Sequence, residues 1–175
     1  RVLNLQLGAF GEVDAEGQFE GTVDRPQVGV RLTMGDGGIE GVGLRDLEIR
    51  GEGSPGRWSI DELGFRLQGG GTVRANGFLE PDSGAYRADL SADGVDVGGV
   101  GFVADLPRTL RPEGMLAVHL QGRGNLKRPG VGGDIVIDNL GIGGRSLGDV
   151  AIVIDTVDST VYVEGAIPSV TTIAL

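Results

Sequence analysis

The sequence contains no cysteine among its 175 residues. This absence excludes disulfide bonds, thiol catalysis and thiolate metal ligands, and it leaves the redox compartment of the protein open. Aromatic residues are also scarce, at five Phe, two Tyr and one Trp, which is few for filling the centre of a two-layer β protein. No apolar run approaches the roughly 18 residues that a membrane-spanning helix needs.

Basic residues and histidine are scarce as well. Fifteen Lys and Arg stand against 25 Asp and Glu, a net charge of −10, which disfavours binding to nucleic acid or to anionic lipid headgroups. The single histidine, His119, falls on the polar phase of a strand, and we expect it to be solvated. The carboxylate pairs Asp93/Asp96 and Asp155/Asp158 sit next to predicted turns with no nucleophile or base beside them, and we expect them to be turn formers and solubilising charges. We predict no catalytic residues and no enzymatic activity.

Metal and cofactor signatures are missing too. The stretch "GGVGFVAD" has the glycines of a calcium-binding β-roll, but it lacks the required Asp and nothing recurs every nine residues. The Gly-x-Gly of "GRGNLK" is followed by neither the helix nor the acidic residue of a dinucleotide fold. We therefore predict no metal site and no cofactor.

Glycine and a period of two dominate what is present. Glycine numbers 34, without the every-third spacing of collagen. Apolar and polar residues alternate through 13–24 and through many later stretches, which predicts half-buried strands. Between them lie "GDGG" at 35–38, "GSPG" at 53–56, "QGGG" at 68–71 and "EPDSG" at 80–84, which predict the turns of an antiparallel meander.

One segment occurs twice in the sequence. "GTVDRPQVGV" at 21–30 and "GNLKRPGVGG" at 124–133 align through their Arg-Pro pairs at an offset of 128 − 25 = 103 residues. Proline cannot donate a ladder hydrogen bond, so each Arg-Pro is predicted to mark a strand end, a bulge or an edge. The organisation we predict is a first β repeat unit over 1–95, an irregular connection over 96–114 and a second unit over 115–175, together one continuous β domain.

Two stretches resemble a known family. "LQGRGNLKRPGVGGDIVIDNLGIGG" and, more loosely, "FEGTVDRPQVGVRLTMGDGGIEG" resemble segments of the TamB and AsmA-like proteins of Gram-negative envelopes, and the pattern extends over most of residues 11–167. The shared phrase is an alternating strand with Gly-x-Gly-x-Leu, a break at Pro, and a strand that ends in a glycine turn. It maps to Gly122, Gly124, Leu126 and Pro129, and to Gly17, Gly21, Val23 and Pro26.

The resemblance implies both a fold and a function. The implied fold is all-β: an elongated, strongly curved antiparallel sheet that folds into a taco-like groove with an apolar lining. The implied function is to shield and conduct phospholipid acyl chains across the periplasm, between the inner and outer membranes, in a protein anchored to the inner membrane. That role supports outer-membrane biogenesis and outer-membrane protein assembly. The implied partners are phospholipid acyl chains, adjacent segments of the same protein joined through edge strands, and the outer-membrane barrel TamA, which is similar to BamA.

The apolar phases of the strands supply the predicted lining of this groove. The predicted lining residues are Phe19, Val23, Val30, Leu32, Leu47, Ile49, Trp58, Ile60, Phe65, Leu67, Val73, Leu116, Val118, Leu120, Ile135, Ile137, Ile152, Ile154, Val161 and Val163. Glycines on the same phases, such as Gly17 and Gly21, are expected to thin the wall.

Alternatives remain open at this point. A β-sandwich or β-solenoid with a dry core, acting as a surface adhesin or stalk, needs the same alternation. A chaperone that pairs outer-membrane barrel strands along an open sheet edge is a third reading. We also expect a segment of a longer protein, whose end stretches "RVLNLQLGAF" and "PSVTTIAL" form edge strands that associate.

Overall fold

The fold consists of β-strands joined by short turns. The computed structural model describes residues 9–39, 41–99, 106–107, 109–157 and 160–166. Within these residues there are eleven strands and one short 3₁₀ turn at Val97–Gly99, and no α-helix. The strands are β1 Ala9–Gly11, β2 Asp14–Thr22, β3 Arg25–Ile39, β4 Val42–Ser54, β5 Arg57–Leu67, β6 Thr72–Leu79, β7 Ala85–Asp96, β8 Pro112–Asn125, β9 Arg128–Ile142, β10 Arg145–Val157 and β11 Thr160–Ala166.

All eleven strands belong to one antiparallel sheet. From β3 to β11 each strand pairs with the next one along the chain, while β1 and β2 lie end to end along the outer side of β3. The sheet is open, with β1 and β2 at one edge and β11 at the other. Hairpin connections of this kind follow from short turns between alternating segments. The predicted all-β antiparallel meander is confirmed.

The sandwich and solenoid alternatives are wrong for the described part of the chain. Both need a second layer or stacked coils, whereas the described strands lie side by side in a single sheet. A two-layer protein of this size has a dry core, but here the buried hydrophobic side chains are limited to Met34, Leu44, Ala92 and Val95. No large side chain among the described residues is fully buried.

The two copies of the sequence repeat form corresponding strands of the sheet. Strands β3 and β9 both start at the Arg of Arg-Pro, and their bounds differ by 103 residues at each end. The bounds of β4 and β10 differ by the same 103 residues, as do the first residues of β5 and β11. The last residues of β2 and β8 also differ by 103, so the repeat extends from β2 through the start of β5, well beyond the segment in which the sequence shows it. Its two copies occupy different strands of one sheet, and β7 pairs directly with β8 between them.

Both Arg-Pro pairs lie at the start of a strand, as predicted. In the first copy, Arg25 is opposite Thr22 in the pair that closes the hairpin, and Pro26 is opposite Gly21 in the next pair. In the second copy, Arg128 is opposite Asn125 and Pro129 is opposite Gly124. In an antiparallel ladder the pair next to a closing hydrogen-bonded pair exchanges no hydrogen bonds. On its other side, β3 begins to pair with β4 only at Val28. Proline therefore occupies a position where no ladder donor is needed.

Three of the four predicted turn segments connect strands, and one does not. Residues 53–56, 68–71 and 80–84 lie at the ends of strands or between them, but "GDGG" at 35–38 is inside β3. The reason is packing, since a Cβ at Gly37 would meet the Met34 sulfur and one at Gly38 would lie 2.5 Å from the Phe10 ring. These glycines make room for side chains of β1 and β3 rather than reversing the chain.

The boundaries of the predicted connection shift. Its described part contains the 3₁₀ turn at Val97–Gly99, but β8 begins at Pro112, inside the span of 96–114. Residues 1–8 and 167–175, which hold most of the predicted end strands, lie outside the described residues. The described edges are therefore β1, β2 and β11.

Candidate functional site: the apolar face of the sheet

The strand register assigns the apolar residues to one face. Side chains of directly paired residues point to the same side of a sheet. Leu32 is opposite Ile49 and Met34 is opposite Leu47, so the alternating apolar positions of β3 and β4 fall together. The same pairing continues across the sheet, with Phe65 opposite Val73 in β5 and β6. We call this side of the sheet the apolar face, and the opposite side the polar face.

The predicted lining residues map onto this face with one exception. The register brings together Phe19, Val30, Leu32, Leu47, Ile49, Trp58, Ile60, Phe65, Leu67, Val73, Leu116, Val118, Leu120, Ile135, Ile137, Ile152, Ile154 and Val163. Val161 holds the ladder position opposite Thr156. Val23 lies in the turn between β2 and β3 and is 96% exposed. It belongs to no strand, because the chain reverses at Val23 and Asp24.

An unbroken aliphatic row crosses the second half of the sheet. It runs perpendicular to the strands through consecutive partners, each 4.5–5.5 Å or so from the next in such ladders. Its members are Val73, Ala92, Val118, Ile135 and Ile152. A second row beside it pairs Leu90 with Leu120 and Ile154 with Val163. Adjacent aliphatic side chains thus extend over several strands without a polar interruption.

Sequence reasoning missed one strand of this face and several of its residues. Strand β7 contributes Leu90, Ala92 and Val95, and none of them was among the predicted lining residues. Its alternation of Tyr86, Ala88, Leu90 and Ala92 with charged or polar neighbours is as regular as that of β2. That signal was available, but two of its four apolar positions are alanine. Met34 and Leu44, two of the buried residues, were also missed.

The apolar face has no layer of protein over it in the described structure. Exposed fractions are 39% for Leu90, 43% for Val30, 45% for Ile60 and 56% for Trp58. A contiguous exposed apolar patch is more typical of a surface that binds a partner or a ligand than of the rest of a soluble protein's surface.

Aromatic side chains fill gaps that glycines leave on this face. A Cβ at Gly53 would lie 2.6 Å from a ring carbon of Trp58, and one at Gly122 would lie 3.2 Å from Tyr86. The Tyr86 hydroxyl crosses β8 and donates a hydrogen bond to the Gly130 carbonyl at 3.1 Å. At Gly53 and Gly122, which are not the glycines expected to thin the wall, aromatic rings occupy the space.

The polar face carries a network of ion pairs in its first half. Glu48 accepts hydrogen bonds from Arg31 at 2.9 Å and from Arg50 at 2.6 Å, and Arg50 also lies 3.6 Å from Glu62. The hydrogen bond from Arg50 holds the pKa of Glu48 below the usual glutamate value, against a smaller opposing effect of desolvation. The two faces of the sheet thus differ sharply in chemistry.

His119 lies on this polar face, as the sequence predicts, with half of its side chain exposed. Its ring nitrogens lie 3.4 Å from carboxylate oxygens of Asp93 and Asp134. The expectation that Asp93 and Asp155 are turn residues is wrong, because Asp93 is within β7 and Asp155 is within β10. Among the described residues no three His, Asp or Glu side chains come together as a metal-binding group.

Two shallow depressions lie mainly on the polar face rather than on the apolar one. The first, of about 310 Å³, includes Gln18, Gly29 and Glu52 in its lining. The second, of about 340 Å³, includes Gln121, Gly132 and Asp155. These two sets are related by the 103-residue offset, so both depressions form where glycine replaces a side chain at the same position of the repeat.

The described residues form no helix long and apolar enough to cross a membrane. In comparisons with known proteins, the chain matches no protein-family model, no curated protein and no solved structure.

Proposed function

We propose that the chain is a periplasmic segment of a bridge-like envelope protein whose apolar face shields and conducts phospholipid acyl chains between the inner and outer membranes. In this proposal the sheet curves into an open, taco-like groove lined by the apolar face. The observation that carries it is a wide aliphatic face, continuous across many strands, that no second layer of protein covers in the described structure. The resemblance of the Arg-Pro segments to TamB and AsmA-like proteins supplies the class of protein and its location.

Acyl chains fit the chemistry of this face. Each CH₂ group that moves from water to an aliphatic surface gains about 0.8 kcal/mol. The rows around Val118 and Leu120 offer methyl groups but no hydrogen-bonding side chain to fix a ligand in one place. A lipid can slide along such a surface because no position binds it much more tightly than the next. The ion pairs around Glu48 keep the other side of the first half of the sheet in water.

A charge on the apolar face tests the proposal. Val118→Asp places a carboxylate in the centre of the aliphatic row, where an open face lets water reach it, so the fold should survive while lipid binding falls. The matched control is Gln121→Asp, which adds the same charge to the polar side of the same strand. The measurement is transfer of a fluorescent phospholipid between vesicles, with circular dichroism as the check of folding. We expect at least a tenfold loss of transfer for Val118→Asp and little change for Gln121→Asp.

Equal transfer by both variants, or none by the unaltered chain, would contradict the proposal. Unfolding of Val118→Asp would contradict it as well, because it would mean that the face is the inside of a packed core.

A strand chaperone is a second candidate, and the open edges favour it. The outer side of β11 pairs with no other described strand. Counting from the closing pair Val157–Thr160, the N–H of Gly165 points away from β10. A chaperone of this kind would lose activity in Gly165→Pro and keep it in Val118→Asp. A lipid conduit would show the reverse.

A further inference from the structure

The two copies of the repeat differ on the polar face. In the first copy, Asp14, Thr33, Glu48, Arg50 and Ser59 project from this face, and Glu12 precedes them. At 103 residues further on, every one of these positions is apolar. The replacing residues are Met115, Ala117, Val136, Ala151, Val153 and Tyr162, which we call the outer patch.

The register makes the outer patch continuous. Ala117, Val136 and Ala151 are direct partners across β8, β9 and β10. Val153 follows two residues after Ala151 on the same side of β10, and Tyr162 is its diagonal neighbour on β11. Val153 is 54% exposed and Tyr162 is 56% exposed. Two of the equivalent positions of the first copy, Glu48 and Arg50, belong to an ion-pair network, and the others are polar or charged, so the fold itself does not require apolar residues here.

Carboxylates surround the outer patch. Asp134 and Glu164 are the partners of Val153 on either side, Asp155 is opposite Tyr162, and Asp138 is opposite Met115. In the first copy the position of Asp134 is taken by Arg31, and that of Val153 by Arg50. The second copy therefore has a carboxylate in place of one basic side chain of the first copy and a valine in place of the other.

We propose that the outer patch is a docking surface for an amphipathic protein segment whose apolar side chains are flanked by Lys or Arg. Apolar residues at the centre and charged residues around them are the usual arrangement of a binding surface. The sign of the surrounding charge selects the occupant, because complementary charge attracts a partner and like charge repels it. A second copy of this chain would place carboxylates against carboxylates, and an anionic lipid surface would meet the same repulsion.

The test uses a pair of synthetic peptides and a charge-neutral variant. The peptides are helical, with the same leucine positions and either Lys or Glu at the others. The variant is Ala151→Glu with Val153→Arg, which installs the Glu48 and Arg50 pair of the first copy and leaves the net charge unchanged. Because the first copy folds with these residues, the variant should fold too. Peptide binding is measured by fluorescence anisotropy at physiological salt.

We expect the Lys peptide to bind and the Glu peptide to bind at least tenfold more weakly. The double variant should weaken binding of the Lys peptide at least tenfold, whereas Val118→Asp on the opposite face should leave it unchanged. Tyr162→Ser, which restores the first-copy residue Ser59, tests the same surface if the double variant does not fold. Unaltered Lys-peptide binding in both outer-patch variants, loss of binding in Val118→Asp, or self-association through the patch would overturn the proposal.

Discussion

At the scale of single residues, glycine has two distinct roles in the strands of this sheet. Gly77 lies on the apolar face of β6, where an added Cβ would meet the Arg87 carbonyl and lie 2.9 Å from the Cα of Ala88. Gly64 lies on the polar face of β5, and an added Cβ there would meet nothing within 4 Å. Neither residue has a positive φ. The first glycine permits close approach of two strands, and the second leaves free space.

Alanine substitution separates these roles. Gly77→Ala forces the neighbouring strand to move, and we expect the free energy of unfolding to fall by about 1–3 kcal/mol. Gly64→Ala is the control, for which we expect a gain of about 0.4–1 kcal/mol from the reduced freedom of the unfolded chain. Urea unfolding of both variants measures the difference. Equal effects would show that strand spacing at Gly77 is ordinary.

The ion pairs of Glu48 make stability depend on pH. Its pKa is lowered in the folded state, mainly by the Arg50 hydrogen bond. The contribution of Glu48 to the free energy of unfolding is therefore present above the unfolded glutamate pKa of about 4.3. It is lost as pH falls through the lower pKa of the folded state. Glu48→Gln should reduce stability at pH 7, and the difference from the unaltered chain should vanish in acid.

Glu52→Gln is the control for this measurement, since Glu52 has no ion pair among the described residues and should show little effect at either pH. Thermal melts at pH 7 and pH 3 compare the variants. A Glu48→Gln difference that stays constant across this range would contradict the assignment.

At the scale of strands, alternation and turn residues predicted most of the sheet, and packing decided the rest. The Arg-Pro positions were predictable because proline cannot donate to a ladder. The strand through "GDGG" was not, because room for Phe10 and Met34 depends on β1 lying beside β3. The apolar side of β7 was missed because alanine carries little hydrophobic signal. Sequence patterns predict which residues share a face of the sheet. Contacts between strands, such as that of the Tyr86 ring over Gly122, can be seen only once the strand register is known.

Two positions of β3 that are only two residues apart, Pro26 and Val28, should differ in their tolerance for proline. Pro26→Ala should alter stability little, because no ladder bond depends on that position. Val28→Pro moves the ring into the range where β4 pairs, opposite Gly53. Proline has no backbone N–H, so the substitution leaves a β4 carbonyl without its hydrogen-bond donor, at a cost of about 1–3 kcal/mol in the free energy of unfolding. Urea unfolding tests this, and a Val28→Pro variant as stable as Pro26→Ala would show that the register is wrong.

At the scale of the whole molecule, one sheet presents two chemically different surfaces. The apolar face is wide, aliphatic and uncovered in the described structure, and it carries the proposed lipid function. The polar face is charged in the first copy of the repeat and apolar at the outer patch in the second. The lipid proposal requires that acyl chains contact the first of these surfaces and not the second.

The most direct test of this requirement uses the absence of cysteine. Single cysteines at Leu90 and Leu120 on the apolar face, and at Ser91 and Gln121 on the polar face, can each carry an environment-sensitive fluorophore with no competing thiol. Phospholipid of short chain length is then added below its micelle concentration. We predict a blue shift and increased emission at Leu90 and Leu120 and no change at Ser91 and Gln121. Equal responses on both faces, or no response at Leu90 and Leu120, would contradict the proposed function.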